Sequence, residues 1–157
     1  MIQARPKHLF SWGFDLLLDD GSTVSFDMAW LREGGRFTWA GAEYEMAREG
    51  PWSGDFLLTA EGQVLARATK ASIIGRSFVV RLDHREFALR AASWLSKRFE
   101  LIEGDRAVGG VTPDHFFTRS CTAEFPEDLS VPVQVFLFWL VILMWRRQNN
   151  AAAASGG

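Results

Sequence analysis

The stretch VPVQVFLFWLVILMW, residues 131–145, decides how this sequence must fold. It is fifteen residues long, and Gln134 is its one polar member. A helix of that length spans roughly 22 Å, which is shorter than the roughly 30 Å hydrocarbon core of a bilayer. Acidic residues precede the stretch, and Arg146 and Arg147 follow it, which is the reverse of the charge arrangement around a tail anchor. We therefore predict a buried core helix and keep a single membrane span as the alternative.

The residues around this stretch are typical of the two ends of a helix. Ser130 is a suitable N-cap, and Pro132 falls in the first turn, where its missing N–H costs nothing. We expect the helix over about 130–148 and a flexible, small-residue tail over 149–157. Apolar residues cover every face of the helix, so the rest of the protein must enclose it on all sides.

The residues before the helix repeat as hairpins that can enclose it. Five segments begin with Phe and alternate apolar with polar residues on both sides of a turn, at steps of 23, 19, 22 and 21 residues. This recurrence predicts a meander of antiparallel hairpins with one apolar and one polar face. An eleventh strand over about 117–125 precedes the helix. The five segments start at Phe14, Phe37, Phe56, Phe78 and Phe99.

A sheet of about eleven strands with one apolar face must close on itself, because a long open edge invites aggregation. Eight strands leave an interior that side chains alone fill, and eleven leave a wider one, which the apolar helix can occupy. The sequence therefore predicts a mainly β fold. A single domain over residues 1–148 forms a closed antiparallel β-barrel of about 11–12 strands around a hydrophobic C-terminal helix. The alternative is a β-sandwich with the helix across one face.

The hairpins FLLTAEGQVLARATK (56–70) and FELIEGDRAVGGV (99–111), followed by the aliphatic helix near the chain end, resemble the tubby-like superfamily. This superfamily includes the LURP-one-related proteins and the phospholipid scramblases. The resemblance implies a twelve-stranded barrel around a C-terminal helix, with residues 7–12 as the candidate twelfth strand. It also implies association with lipid or a membrane surface. The sequence shows no acidic calcium-loop pattern and no cysteine-rich cluster of the scramblase kind.

The predicted meander sorts the charges, because it places all hairpin tips at one end of the barrel and all connections between hairpins at the other. The tip end then collects eight acidic and two basic residues, and the connector end eleven basic and five acidic ones. We call the basic residues of the connector end the basic rim; they are Arg5, Lys7, Arg32, Arg36, Arg48, Lys70, Arg76, Lys97, Arg98, Arg146 and Arg147.

The basic rim predicts docking on an anionic phospholipid surface or an acidic protein. The alternative is that the loops are simply polar and that the rim binds nothing. The residues expected to bind a lipid headgroup or another anion are Lys70, Arg76, Lys97, Arg98, Arg146 and Arg147.

Composition and motifs point away from enzymes and nucleic-acid binding. The net charge of −2 provides no general attraction for nucleic acid. The chain has thirteen Phe and seven Trp but one Cys, and its three His lack metal-ligand spacing, so we expect no metal and no cofactor. No nucleophile elbow, P-loop or dinucleotide fingerprint is present. We interpret Gly34 and Gly35 as a loop and Gly109 and Gly110 as a kink or bulge.

The tryptophans near the connections are open to two interpretations. They are either interfacial anchors beside the basic rim or caps over the mouth of the barrel. The five concerned are Trp12, Trp30, Trp39, Trp52 and Trp94.

These observations predict a non-enzymatic binding or scaffold protein that docks on anionic phospholipid surfaces through the basic rim. We expect a cytoplasmic monomer, peripheral at a membrane, because no secretory signal opens the sequence. Two alternatives remain. One is a single-span membrane protein anchored by the C-terminal helix. The other is a small-ligand carrier, in which Gln134 or Trp139 lines a void.

Overall fold

A computed structural model describes residues 1–9, 11–28, 33–71, 76–115 and 119–156, and within them twelve strands form one closed antiparallel barrel. Each strand pairs with its neighbour in the chain, and the first pairs with the last to close the barrel. The elements are β1 Ile2–Pro6, β2 Phe14–Leu18, β3 Thr23–Met28, β4 Gly34–Trp39, β5 Ala42–Arg48, β6 Phe56–Ala60, β7 Gln63–Lys70, β8 Ser77–Leu82, β9 Arg85–Ala91, β10 Phe99–Glu103, β11 Arg106–Pro113, β12 Cys121–Glu124 and α1 Val131–Ser155.

The predicted alternation matches the two faces of the barrel wall. In β2, Phe14, Leu16 and Leu18 are buried, while the residues between them are more exposed. Across the hairpin, Phe14 lies opposite Phe26, and Leu16 lies opposite Val24. These alternate apolar side chains therefore point into the barrel, and the fold class predicted from the sequence is confirmed.

The helix α1 runs inside the barrel. Residues 135–143 are fully buried, although they cover every face of the helix. Phe138 meets the ring of Phe14 edge-on at 5.5 Å between ring centroids, and Trp139 meets Phe56 in the same way at 5.5 Å. Since burying one large apolar side chain contributes about 1.5–3 kcal/mol, barrel and helix stabilise each other. No helix of the described residues is both long and apolar enough to cross a membrane.

This arrangement bears on both alternative functions. A single-span protein would need α1 outside the barrel, whereas the barrel encloses it. A carrier would need an empty interior. Gln134 instead donates to the Leu129 carbonyl at 2.7 Å. Trp139 stacks on Phe136 at 6.0 Å and packs against Phe56, so neither predicted side chain lines a ligand-sized void.

The twelfth strand lies at Ile2–Pro6 rather than at residues 7–12. β1 pairs with β2 on one side and with β12 on the other. Its alternate residues Ile2 and Ala4 are buried, so they point into the barrel. Residues 7–9 and 11–13 instead belong to no strand. The helix also continues to Ser155, through most of the segment expected to be a flexible tail, because alanine favours a helix.

Gly34 and Gly35 are part of strand β4 and not of a loop. A Cβ on Gly35 would lie 3.2 Å from the Asp27 carbonyl oxygen and 3.4 Å from Nε1 of Trp139, so glycine lets the helix approach the wall. The expectation for Gly109 and Gly110 is met, since the β10–β11 register shifts next to them. β12 begins at Cys121, and residues 117 and 118 of the predicted eleventh strand lie outside the described residues.

Candidate functional site: the connector end of the barrel

The two ends of the barrel follow from the strand order. Because every neighbouring pair is antiparallel, the tight turns of the hairpins lie at one end, the tip end. The longer connections lie at the other, which we call the connector end. The connections span 7–13, 29–33, 49–55, 71–76, 92–98 and 114–120. The helix begins at the tip end and leaves through the connector end, where Arg146 and Arg147 follow its last buried residue.

The observed topology places the predicted charges at these two ends, with two changes. Arg32 lies outside the described residues. Arg119, which the sequence analysis did not single out, lies in a connection. With Arg119 counted in place of Arg32, the predicted set still has eleven basic residues at the connector end. The acidic residues of that set number five: Asp27, Glu33, Glu49, Asp55 and Asp114.

Five of the six connections are closed by the same backbone hydrogen bond. In each, the backbone N–H of the first residue donates to the carbonyl of the seventh at 2.9–3.1 Å. In three of them, a serine at the fifth position accepts a hydrogen bond from the N–H of the seventh at 2.9–3.0 Å. The loops are KHLFSWG (7–13), EGPWSGD (49–55), ASIIGRS (71–77), ASWLSKR (92–98) and DHFFTRS (114–120).

The middle of each of these loops is apolar. The third and fourth positions hold Leu-Phe, Pro-Trp, Ile-Ile, Trp-Leu and Phe-Phe, and we call these pairs the loop apices. The described apices point into solvent, since Leu9 is 82% exposed, Trp52 98%, Trp94 82% and Leu95 65%. Pro51 is exposed as well, and the other apex residues, Phe10, Ile73, Ile74, Phe116 and Phe117, lie outside the described residues.

The tryptophans divide between the two sequence-based interpretations. Trp52 and Trp94 are too exposed to cap the mouth of the barrel. Trp12 does pack against the core. Trp39 was wrongly placed near a connection, because it ends β4 next to the 40–41 hairpin tip. Trp30 lies outside the described residues.

Three of the six predicted anion-binding residues come together. Lys70, Arg76 and Arg147 line one surface cavity of about 210 Å³, and no described carboxylate lines it. Arg98 lines a separate cavity of about 280 Å³ that also includes Glu124. The remaining walls of the first cavity are Ser77, Phe78, Met144 and Gln148.

The other two predicted residues lie away from that cavity. Lys97 lines a small cleft with Trp12, and its backbone carbonyl accepts the indole N–H of Trp145 at 3.0 Å. Arg146 follows Trp145 where the helix leaves the barrel. The six residues therefore surround the helix exit rather than form one pocket.

Arg76 also has a structural role. Its guanidinium donates to the carbonyls of Ser93 and Trp94 at 2.9 and 2.7 Å and to Oε1 of Gln148 at 2.9 Å. It also lies 5.6 Å from the centroid of the Phe99 ring. Burial lowers the pKa of Arg76 from its ordinary value. Arg76 thus ties the end of the helix to the 92–98 loop.

Arg147 forms the second such link. It donates twice to the Glu33 carboxylate, at 2.6 and 2.7 Å, and lies over the Phe56 ring at 5.3 Å. Arg48 reaches the same carboxylate at 3.9 Å and the same ring at 5.8 Å. Burial raises the pKa of Glu33, but the hydrogen bond and charge of Arg147, with the charges of Arg48 and Arg146, outweigh it and leave the pKa below its ordinary value.

The sequence analysis missed two further arginines at this end. Arg119 donates to the backbone carbonyls of His8, Leu9 and Ser11 in the 7–13 loop, more than a hundred residues earlier in the chain. Arg67 bonds Glu49 and Asp55, the first and last residues of the 49–55 loop, at 2.8 and 2.9 Å. No local pattern reveals these contacts, because their partners are distant in sequence or belong to the backbone.

The described residues bring together little reactive chemistry. No group of three or more His, Cys, Asp or Glu side chains in the described ranges is placed to hold a metal ion. Cys121 is buried, and both its burial and the negative charge of Asp114 raise the pKa of its thiol well above the ordinary value. A thiol in that state is a poor nucleophile.

Comparison with known proteins gave no matching family model, no matching curated protein and no matching solved structure. The resemblance to the tubby-like superfamily therefore stays a prediction.

Proposed function

We propose that this protein is a non-enzymatic docking protein that binds anionic phospholipid bilayers through the connector end of its barrel. The observation that carries this proposal is the separation of charge, with eleven basic and five acidic residues at the connector end. The tip end has the opposite balance. A chain with a net charge of −2 thereby presents one face that an anionic surface attracts. The cytoplasmic leaflets of cell membranes are such surfaces.

The strength of the attraction depends on the excess of basic over acidic residues. Each net basic charge near an anionic membrane contributes on the order of 1 kcal/mol. Some of the basic residues are neutralised within the protein, as the pair Arg147–Glu33 illustrates. When Arg67 is added, together with Glu45 and Glu100, the partners of Arg36 and Arg98, this end holds twelve basic and seven acidic residues, so an excess of five positive charges remains. Such binding weakens as salt screens the charges over about 10 Å.

The barrel supports a binding role rather than a carrier role, because the helix occupies its interior. The twelve strands around a C-terminal helix also agree with the architecture that the tubby-like resemblance implies. We include membership of that superfamily in the proposal. An acidic protein with the same charge pattern as a lipid surface is the competing partner.

The test is flotation with vesicles of phosphatidylcholine alone or with about 30% phosphatidylserine, at low and high salt. We expect binding to the anionic vesicles at low salt and release at high salt. The double variant Lys97→Glu/Arg98→Glu should lower the affinity by about tenfold or more. Arg81→Glu/Arg106→Glu is the matched control, because it changes the net charge equally but lies away from the connector end. Absence of binding, or equal losses for both variants, would contradict the proposal.

A further inference from the structure

We propose that the loop apices insert into the bilayer as hydrophobic anchors, so that docking combines charge attraction with burial of tryptophan and leucine. This inference rests on the proposed function and adds the mode of contact. The observation behind it is that the loops 7–13, 49–55 and 92–98 share one closing backbone hydrogen bond, and that their described apex residues are apolar and exposed.

The described apex side chains do not pack inside the barrel. Isolated apolar residues on a protein surface are normal. Here, however, the five described apex residues occupy the same two positions in three loops, and all three loops lie at one end. The loops keep their shape through their backbone bonds and serine hydroxyls, so the apices need no inward packing. Their apolar residues are therefore available for an external partner.

Several side chains hold these loops in place from below. Arg67 bonds both ends of the 49–55 loop, and Arg76 binds the carbonyl of Trp94 itself. Arg119 holds three carbonyls of the 7–13 loop. Anchors that are ordered before binding lose less conformational entropy when they insert.

The spacing of the apices favours a bilayer over a protein as the partner. The three loops with described apices, 7–13, 49–55 and 92–98, are four strands apart, which is about 19 Å along the rim of the barrel. A protein partner usually buries a contiguous patch. Separate apolar anchors with basic residues among them suit the layered chemistry of an anionic bilayer, and tryptophan prefers its interface. The exposed end of the helix, residues 149–155, contains no charged residue that would oppose insertion.

Fluorophores on introduced cysteines test this inference, since the one native cysteine, Cys121, is buried. An environment-sensitive fluorophore is attached in Trp52→Cys, Trp94→Cys and Val64→Cys, the last being 52% exposed near the tip end. On vesicles with about 30% phosphatidylserine, we expect a blue shift and quenching by lipid-borne quenchers at positions 52 and 94 but not at 64.

A binding measurement complements the labels. Trp52→Ala/Trp94→Ala should weaken vesicle binding on the order of tenfold per tryptophan, whereas Leu17→Ala/Val64→Ala, which removes exposed apolar groups outside the connector loops, should not. Salt-sensitive binding with unchanged fluorescence at 52 and 94 would overturn insertion and leave the proposed function standing. Absence of vesicle binding would overturn both. Binding to an acidic protein with no lipid response would likewise contradict both.

Discussion

The two ends of the barrel connect the same twelve strands in different ways. At the tip end, Ala40–Gly41 and Glu61–Gly62 join their strands with two residues, each with positive φ, as in type I′ turns. At the connector end, five loops use seven residues each and have an apolar middle. Two residues are enough to join neighbouring antiparallel strands. The additional length therefore serves something other than closing the sheet.

The difference extends to the ion pairs. At the tip end, Arg85 joins two carboxylates, Glu103 and Asp128, and remains on an acidic surface. At the connector end, arginines bind backbone carbonyls as well as carboxylates, and the surface around them is basic. The Arg85 contacts at the tip end join side chains only, whereas Arg76 and Arg119 at the connector end also bind the backbone of loops. Under the proposed function, the tip end completes the fold and the connector end makes the contact with the bilayer.

The largest effect on stability should come from a substitution in the helix α1, which runs through the barrel from one end to the other. Leu140→Asp places a carboxyl group without a partner among the fully buried residues of the helix. We expect a loss of more than about 4 kcal/mol in the free energy of unfolding, so that both ends lose their structure together. Circular dichroism during urea unfolding measures the loss. Ala153→Asp, on the exposed end of the same helix, should change stability by less than about 0.5 kcal/mol.

A smaller pair of changes compares the two ends directly. Arg76→Met removes hydrogen bonds to two loop carbonyls, and we expect it to cost about 1–3 kcal/mol and to weaken vesicle binding. Arg85→Met removes ion pairs that are one-third exposed or more, and should cost about 0–1 kcal/mol without affecting binding. Urea unfolding and flotation of both variants provide the comparison. Equal effects on binding would remove the distinction between the ends.

Acid should weaken the connector end through Glu33. Its pKa is lowered in the folded protein, so the pair with Arg147 is fully stabilising above the ordinary value of 4.5 and is lost as the pH falls through the folded pKa. At pH 7, Glu33→Gln should cost about 1–2 kcal/mol. The difference between wild type and variant should shrink below that ordinary pKa. Urea unfolding of the wild type and of Glu33→Gln, at pH 7 and at a pH below 4.5, measures this difference in the free energy of unfolding. An equal difference at the two pH values would exclude the Glu33–Arg147 pair as its cause.

The smallest expected effect is that of bound vesicles on the labelling rate of Cys121, which follows the 114–120 connection. Burial raises the pKa of this thiol, so it should react with a disulfide reagent at neutral pH on the order of a hundredfold more slowly than an exposed cysteine. Bound anionic vesicles should slow the reaction further if they restrain the connector end. Faster labelling on vesicles would indicate that docking opens this end.

Local periodicity made most of the fold predictable. Alternation along Phe56–Ala60 and its partner strands, and the all-apolar helix, both appear in short windows of sequence. Strand β1 was not predicted, because its alternation covers only five residues ending in Pro6, and its placement depends on pairing with β2 and β12. The location of the basic rim followed from the meander alone.

The details of the candidate site were less accessible to sequence reasoning. The closing bonds of the loops are made by backbone atoms, so similar loops differ in most of their residues. The role of Arg119 depends on a loop far away in the chain. Two predicted binding residues, Arg76 and Arg147, also connect elements of the fold, which charge counting does not reveal.

Hydrogen exchange of the full chain, with and without vesicles containing about 30% phosphatidylserine, tests most directly which end meets the membrane. We expect slower exchange in the connections 49–55 and 92–98, and no change at the tips 61–62 and 104–105. Protection at the tips, or no protection at either end, would contradict the account.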